Sequence, residues 1–224
     1  MLLRLLLALT LLTTPALAAA PPATPVQVKP ADEGPQNPSF ATYRKKLLDA
    51  ITRKDINAVT KLMDPRIKLD FGGGEGIATF RKNWNVTSPD TQVWKALAIV
   101  VGNGGHFNNA GLSEFVAPYV FSAWPDDIDP FENVAITDPK AELLDGPHES
   151  RRTIRKLGFE IVEVLKGAGK PQHEAGEDDW SEVKTQDGKR GYVKASQYRS
   201  SIDYRAVFEK KKGRWRMTVF IAGD

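Results

Sequence analysis

Residues 180–199 read WSEVKTQDGKRGYVKASQYR, and the shape of this stretch decides how the rest of the chain is divided. Trp180 and Val183 lie on a run of strand-like composition. Gln186-Asp187-Gly188-Lys189 then reads as a tight turn, because Asp-Gly readily supplies the positive φ angles that hairpin turns need. Gly191-Tyr192-Val193 restarts extended chain, and Ala195 to Gln197 makes a short turn before Tyr198. The stretch predicts a β-hairpin.

Upstream of it, from Glu132 onward, the chain is a series of short β-runs. Val134-Ala135-Ile136 and Ala141 to Leu144 come first, then the turn Asp145-Gly146-Pro147. Thr153 to Leu157 and Phe159 to Leu165 follow, and a polar loop, Lys166 to Asp179, leads into Trp180. Short strands at this spacing predict a small barrel. Three features in this order resemble the bacterial SH3-like domain, a small β-barrel used mostly for binding. They are the Asp145-Gly146-Pro147 turn, the run Ile154…Leu157-Gly158…Val162-x-Val164, and the hairpin with its Trp-x-x-Val…Asp-Gly…Gly-Tyr-Val pattern. The resemblance covers about residues 134–199. It departs from the family where Glu142-Leu143-Leu144-Asp145 replaces the usual Asn-Val-Arg run. It implies a groove edged by aromatics that accepts an extended peptide. Trp180, Tyr192 and Tyr198, with Arg199 beside them, are the candidate ligand-binding residues. Tyr198 and Arg199 follow the last strand and are expected to be exposed. The competing reading places Trp180 and Tyr192 in the barrel core. The implied ligand is a cell-wall peptide or an envelope protein.

The N-terminus fixes the expected compartment. Met1 to Arg4 is a short positive start, Leu5 to Leu12 an apolar run, and Pro15 to Ala20 offers small residues at A-x-A spacing. This is the pattern of a secretory signal peptide, cleaved after Ala18 or Ala20, and it is too short to span a membrane. A periplasmic or secreted, soluble protein is expected, with no transmembrane segment. Residues 21–38, rich in Pro and Ala, are expected to be a disordered leader, because so little apolar surface cannot offset the entropy of ordering.

Residues 39–131 read as a helical α+β part. Ser39 is a candidate N-cap, and Phe40, Tyr43, Leu47, Leu48 and Ile51 recur at helical spacing. Asp55 caps a second helix that Pro65 stops. Ile67, Leu69 and Phe71 alternate as in a half-buried strand. Gly72 to Gly76 is a sharp turn or an anion cradle, and a third helix is expected over Asp90 to Val101. Pro118 demotes residues 112–124 to an edge strand or packed loop. Residues 201–224 form a further hairpin, with Tyr204, Ala206 and Phe208 on one arm and Trp215, Met217, Val219 and Ile221 on the other. A lone hairpin needs a partner surface. Residues 40–84 plus this tail more distantly resemble the cone-shaped nuclear transport factor 2-like fold. The expected architecture is thus α+β, with the tail returning to the helical part and the SH3-like barrel of 132–200 inserted between them.

Composition restricts the chemistry. Removing residues 1–20 takes away only Arg4, so Lys+Arg falls from 31 to 30 against 28 acids, and a net charge of +2 argues against nucleic-acid binding. The absence of cysteine excludes thiol nucleophiles and thiolate metal sites. His106, His148 and His173 are scattered, without i+4 partners. Asp126-Asp127-x-Asp129-x-x-Glu132 is a calcium candidate or a solvated boundary loop. Asp70 and Glu75 are a candidate carboxylate pair. The basic tip Lys210 to Arg216 is a charged turn or an anion-attracting patch. No cofactor, metal or catalytic residue is assigned. The expected function is non-catalytic binding in the bacterial envelope. A carboxylate- or histidine-dependent enzyme in the N-terminal part and a structural adaptor remain the alternatives.

Overall fold

A computed structural model describes residues 24–166, 174, 176 and 179–223. The expected signal peptide and His173 lie outside the described residues. The fold is α+β, built on two sheets.

The first sheet carries the helices. Helix α1 (Pro38–Thr52) buries Phe40, Tyr43, Leu47, Ala50 and Ile51, the face that the helical spacing marks. Its N-cap is Asn37, not Ser39: the Asn37 side chain accepts from the backbone N–H groups of Ser39 and Phe40. Helix α2 (Ile56–Lys61) is capped by Asp55, whose carboxylate accepts from the N–H of Ala58. Strand β1 (Met63–Lys68), α3 (Ile77–Asn83) and α4 (Val93–Gly102) follow. Then come β2 (His106–Phe107), β3 (Glu114–Ala117) and the short α5 (Tyr119–Ser122). The tail supplies β11 (Arg205–Lys211) and β12 (Arg214–Ile221). The strand order is β1-β12-β11-β3-β2, so the tail hairpin occupies the middle of the sheet. β12 runs parallel to β1, and β11 antiparallel to β3. The hairpin is held on both edges by N-terminal strands.

Several local expectations change here. β3 is flanked by β11 and β2 and is no edge; Pro118 lies just beyond its end, where no ladder N–H is needed. Pro65 sits inside β1, which tolerates it as an edge strand. Leu69 and Phe71 fall beyond β1, and Phe71 is exposed, with Arg205 5.6 Å from its ring centroid. In β12 a bulge opposite Val207 and Phe208 breaks the alternation. Trp215, Met217 and Phe220 consequently face the helices, not the simple series ending at Val219 and Ile221. Phe40 lies at the centre of this core, with ring centroids of Phe115 at 4.3 Å, Trp215 at 4.9 Å, Phe208 at 5.6 Å and Phe107 at 5.7 Å.

The second sheet is made of β4 (Asn133–Ile136), β5 (Glu142–Leu144), β6 (Thr153–Lys156), β7 (Ile161–Lys166), β8 (Trp180–Lys184), β9 (Arg190–Lys194) and β10 (Tyr198–Arg199). Its order is β10-β4-β7-β8-β9-β5-β6. Val134, Ile136, Ala141, Leu143, Leu157, Val162, Val183, Val193, Ala195 and Tyr198 form one core on its inner side. Among the described residues no ladder joins β10 to β6, so backbone pairing does not close the expected barrel.

Residues 24–37 correct the expectation of a disordered leader. They form an ordered strap across both sheets. The N–H of Val28 donates to the carbonyl of Phe159 at 2.8 Å, and that of Ile161 to Val26 at 3.0 Å. The Gln186 side chain, at the hairpin turn, holds the Val26 backbone from both sides. Further on, Gly105 donates to Ala31, and Glu33 donates to Gly105, each at 2.9 Å. A Cβ at Gly104 would lie 2.2 Å from the Ala31 carbonyl, so the strap's approach requires glycine there. Despite its composition the strap is ordered, because it borrows hydrogen-bond partners and burial from both sheets. Val28 packs with Tyr119, Val120, Ala135 and Ile161 in a small core between the two halves.

Candidate ligand-binding surface

The β8–β9 hairpin decides which side chains face a ligand. Val183 and Val193 point into the core, and the period of two turns Trp180, Tyr192 and Lys194 to the outer face. Trp180 is paired with Lys194, and Tyr192 with Glu182. The same alternation puts Leu143 inside and Glu142 and Leu144 outside on β5. β5 approaches β9 closely because position 191 is glycine: a Cβ there would lie 2.5 Å from the Leu144 carbonyl. These strands floor a hollow of about 200 Å³ lined by Lys140, Glu142, Leu144, Glu149, Trp180, Lys194 and Gln197.

The hollow pairs an aromatic face with charges of both signs. The Lys194 ammonium lies 5.6 Å from the Trp180 ring centroid, within cation–π reach. It also forms an ion pair with Glu149. The Lys194 hydrogen bond and charge hold the exposed Glu149 carboxyl below the usual carboxylate range. Glu142 accepts from the Thr153 hydroxyl at 2.8 Å, and Gln197 donates to Asp138 at 3.1 Å.

The four sequence candidates separate into two pairs. Trp180 lines the hollow, and Tyr192 shares its outer face without lining it. Tyr198 and Arg199 are corrected: both are buried, at 5% and 2% exposure. The Tyr198 hydroxyl lies 2.7 Å from that of Ser181. Arg199 pairs with Asp203 at 3.0 Å and donates to the Tyr204 carbonyl at 2.5 Å. Burial lowers the Arg199 pKa from its ordinary value, against the opposing pull of Asp203. The chain after Ala195 turns inward to β4 and does not run into solvent. Lys140, Glu142, Glu149, Lys194 and Gln197 were missed. The phase of Val183 and Val193 was the signal that could have marked Lys194 with Trp180.

Elsewhere the candidate constellations have structural partners. Asp70 accepts from the N–H of Gly74 at 2.7 Å, so it caps its own turn. Nδ1 of His106 lies 2.8 Å from the Ser122 hydroxyl, and that of His148 lies 2.9 Å from the Ser150 hydroxyl. At the basic tip, Lys211 pairs with Glu209 at 2.8 Å and Lys210 donates to Ser39 at 3.1 Å. Among the described residues no three His, Cys, Asp or Glu side chains gather to hold a metal, and the 126–132 acids are included in that statement. Among the same residues no helix is long and apolar enough to cross a membrane.

The chain matches no protein-family model and no curated protein.

Proposed function

We propose that this is an exported, non-catalytic binding protein of the bacterial envelope, recognising a cell-wall peptide or an envelope protein through the outer face of residues 180–194. The observation that carries the reading is the Trp180 hollow, whose wall sets the indole beside Lys140, Lys194, Glu142 and Glu149, with Lys194 over the ring and paired to Glu149. Such a lining suits a peptide that bears both carboxylates and an amine: the lysines meet the former, the glutamates the latter, and the indole covers the aliphatic stem. The short antiparallel strands curling around one aliphatic core support an SH3-like barrel as the carrier. Helices on one face of a mixed sheet support a nuclear transport factor 2-like fold for the other half. Export rests on the N-terminal sequence pattern.

Sedimentation with purified sacculi tests the reading. The mature chain is expected in the pellet, Trp180→Ala in the supernatant with an unchanged melting temperature, and Tyr198→Phe in the pellet. Equal pelleting of the wild type and Trp180→Ala would remove the hollow from the reading.

A further inference from the structure

The mature chain has little net charge, yet its charges are unevenly spread. Residues 44–66 and 209–216 hold twelve Lys and Arg against four Asp and Glu. The mature chain holds 30 against 28, so everything outside those two stretches is left with 18 against 24. The basic share belongs to α1, α2, β1 and the tip between β11 and β12, all in the half built on the first sheet.

Packing gathers part of it into one face. Lys46 and Arg53 are seven residues apart along α1 and its C-cap, so two helical turns bring them to the same side. With Lys61, in the last turn of α2, they rim a shallow hollow of about 320 Å³ whose other lining residues are Asp49, Ala58 and Leu62. All three cations are exposed. Arg216 of β12 donates to the Lys61 carbonyl and adds a fourth. Lys210 reaches the Ser39 hydroxyl at 3.1 Å, so the basic tip lies at the start of the same helix. Asp49 is the one acid in the hollow, and Lys45 already pairs with it at 2.9 Å. Among the described residues no carboxylate pairs with Lys46, Arg53, Lys61 or Arg216. Cations gathered without counter-charges raise the local potential and draw anions to it.

The face lacks what a protein interface is built from. Protein partners dock on aromatic or aliphatic anchors, and lysine is depleted where they touch. The exposed large hydrophobic residues are Val26, Phe71 and Phe131, none of them within residues 44–66 or 209–216. An anionic lipid surface needs only cations spread over a breadth of protein, and adsorption without insertion needs no exposed apolar side chain.

We propose that the face formed by Lys46, Arg53, Lys61 and Arg216 is a docking surface for the anionic headgroups of a lipid bilayer, on which the chain adsorbs without inserting. The acidic remainder of the chain orients the molecule, because a negative bilayer repels it. The inference goes beyond the envelope-binding reading and does not depend on it: this hollow shares no residue with that of Trp180.

Co-sedimentation of the mature chain with vesicles tests the proposal. Phosphatidylcholine vesicles with about one-third phosphatidylglycerol are expected to pellet the chain, and phosphatidylcholine alone is not. Binding is expected to fall steeply as sodium chloride is raised, because salt screens exposed charge. Lys46→Gln with Lys61→Gln is expected to weaken binding about 25-fold, about fivefold for each charge removed. Lys156→Gln with Arg190→Gln removes the same charge from exposed positions of the second sheet and is expected to change binding less than about twofold. All four positions are exposed, so melting temperatures should match that of the wild type. The proposal is overturned if the phosphatidylglycerol vesicles leave the chain in the supernatant, if neutral vesicles pellet it equally, or if the two double variants lose binding alike. Release from the vesicles by an equal charge of soluble polyglutamate would also overturn it and assign an acidic polypeptide instead.

Discussion

The two sheets distribute their aromatic residues in opposite ways. The first keeps Phe40, Phe80, Phe115, Phe208, Phe220 and Trp215 inside, packed against the helices. The second fills its core with valine, leucine, isoleucine and alanine, with Tyr198 as the one aromatic among the described residues, and turns Trp180 and Tyr192 outward. An aromatic ring buried among others contributes large area and little chemistry. A half-exposed ring among charges offers a face to a partner. The contrast distinguishes a foundation from a presenting surface. It also shows why residues only six apart, Tyr192 and Tyr198, play different parts.

The contrast can be broken by substitution, starting where burial is deepest. Phe40→Ala should cost about 4 kcal/mol, because Phe40 is fully buried and the surrounding rings cannot collapse into its space. Urea unfolding measures it, and a loss below about 1 kcal/mol would contradict the aromatic core. Arg199→Met removes the guanidinium paired with the buried Asp203 and should cost about 3 kcal/mol. Adding Asp203→Leu should recover part of that loss, and no recovery would mean that the pair is not the source. Tyr198→Phe removes the hydroxyl contact with Ser181 and should cost about 1 kcal/mol. The same variant should leave ligand binding intact, which separates Tyr198 from Trp180 within one hairpin.

The strap between the sheets gives the smallest effect and a pH signature. The Arg44 hydrogen bonds hold the Asp32 carboxyl below its usual 3.8, despite the opposing effect of partial burial. A depressed carboxylate stabilises the fold above its unfolded pKa, and that contribution is lost as pH falls through the lower folded value. Acid unfolding should therefore steepen below about pH 4, and Asp32→Asn should remove that increment while costing less than about 1 kcal/mol at neutral pH. An Asp32→Asn chain with the same acid slope as the wild type would detach the strap from this effect.

Much of this molecule could be read in advance from local pattern. The helical spacing of Phe40, Tyr43, Leu47 and Ile51, the Asp55 cap and the Asp187-Gly188 turn are local properties, encoded within a few residues of each other. The pairing need of the tail hairpin was equally legible, since a lone hairpin cannot bury its face. Non-local facts were not. Nothing near Val26 or Val28 announces that Phe159, Ile161 and Gln186 wait beside them. Nothing near Arg199 marks its burial, which follows from β10 pairing with β4 and from Asp203 four residues on.

The sequence by itself determined the elements, the α+β class and the hydrophobic faces, because backbone preference and residue period act over one or two turns of chain. Only the tertiary structure decided which aromatics face solvent, that the leader becomes a strap, and that Arg199 is buried against Asp203. Those outcomes depend on which distant segments supply hydrogen bonds and exclude water, and that information is carried by the packed chain as a whole.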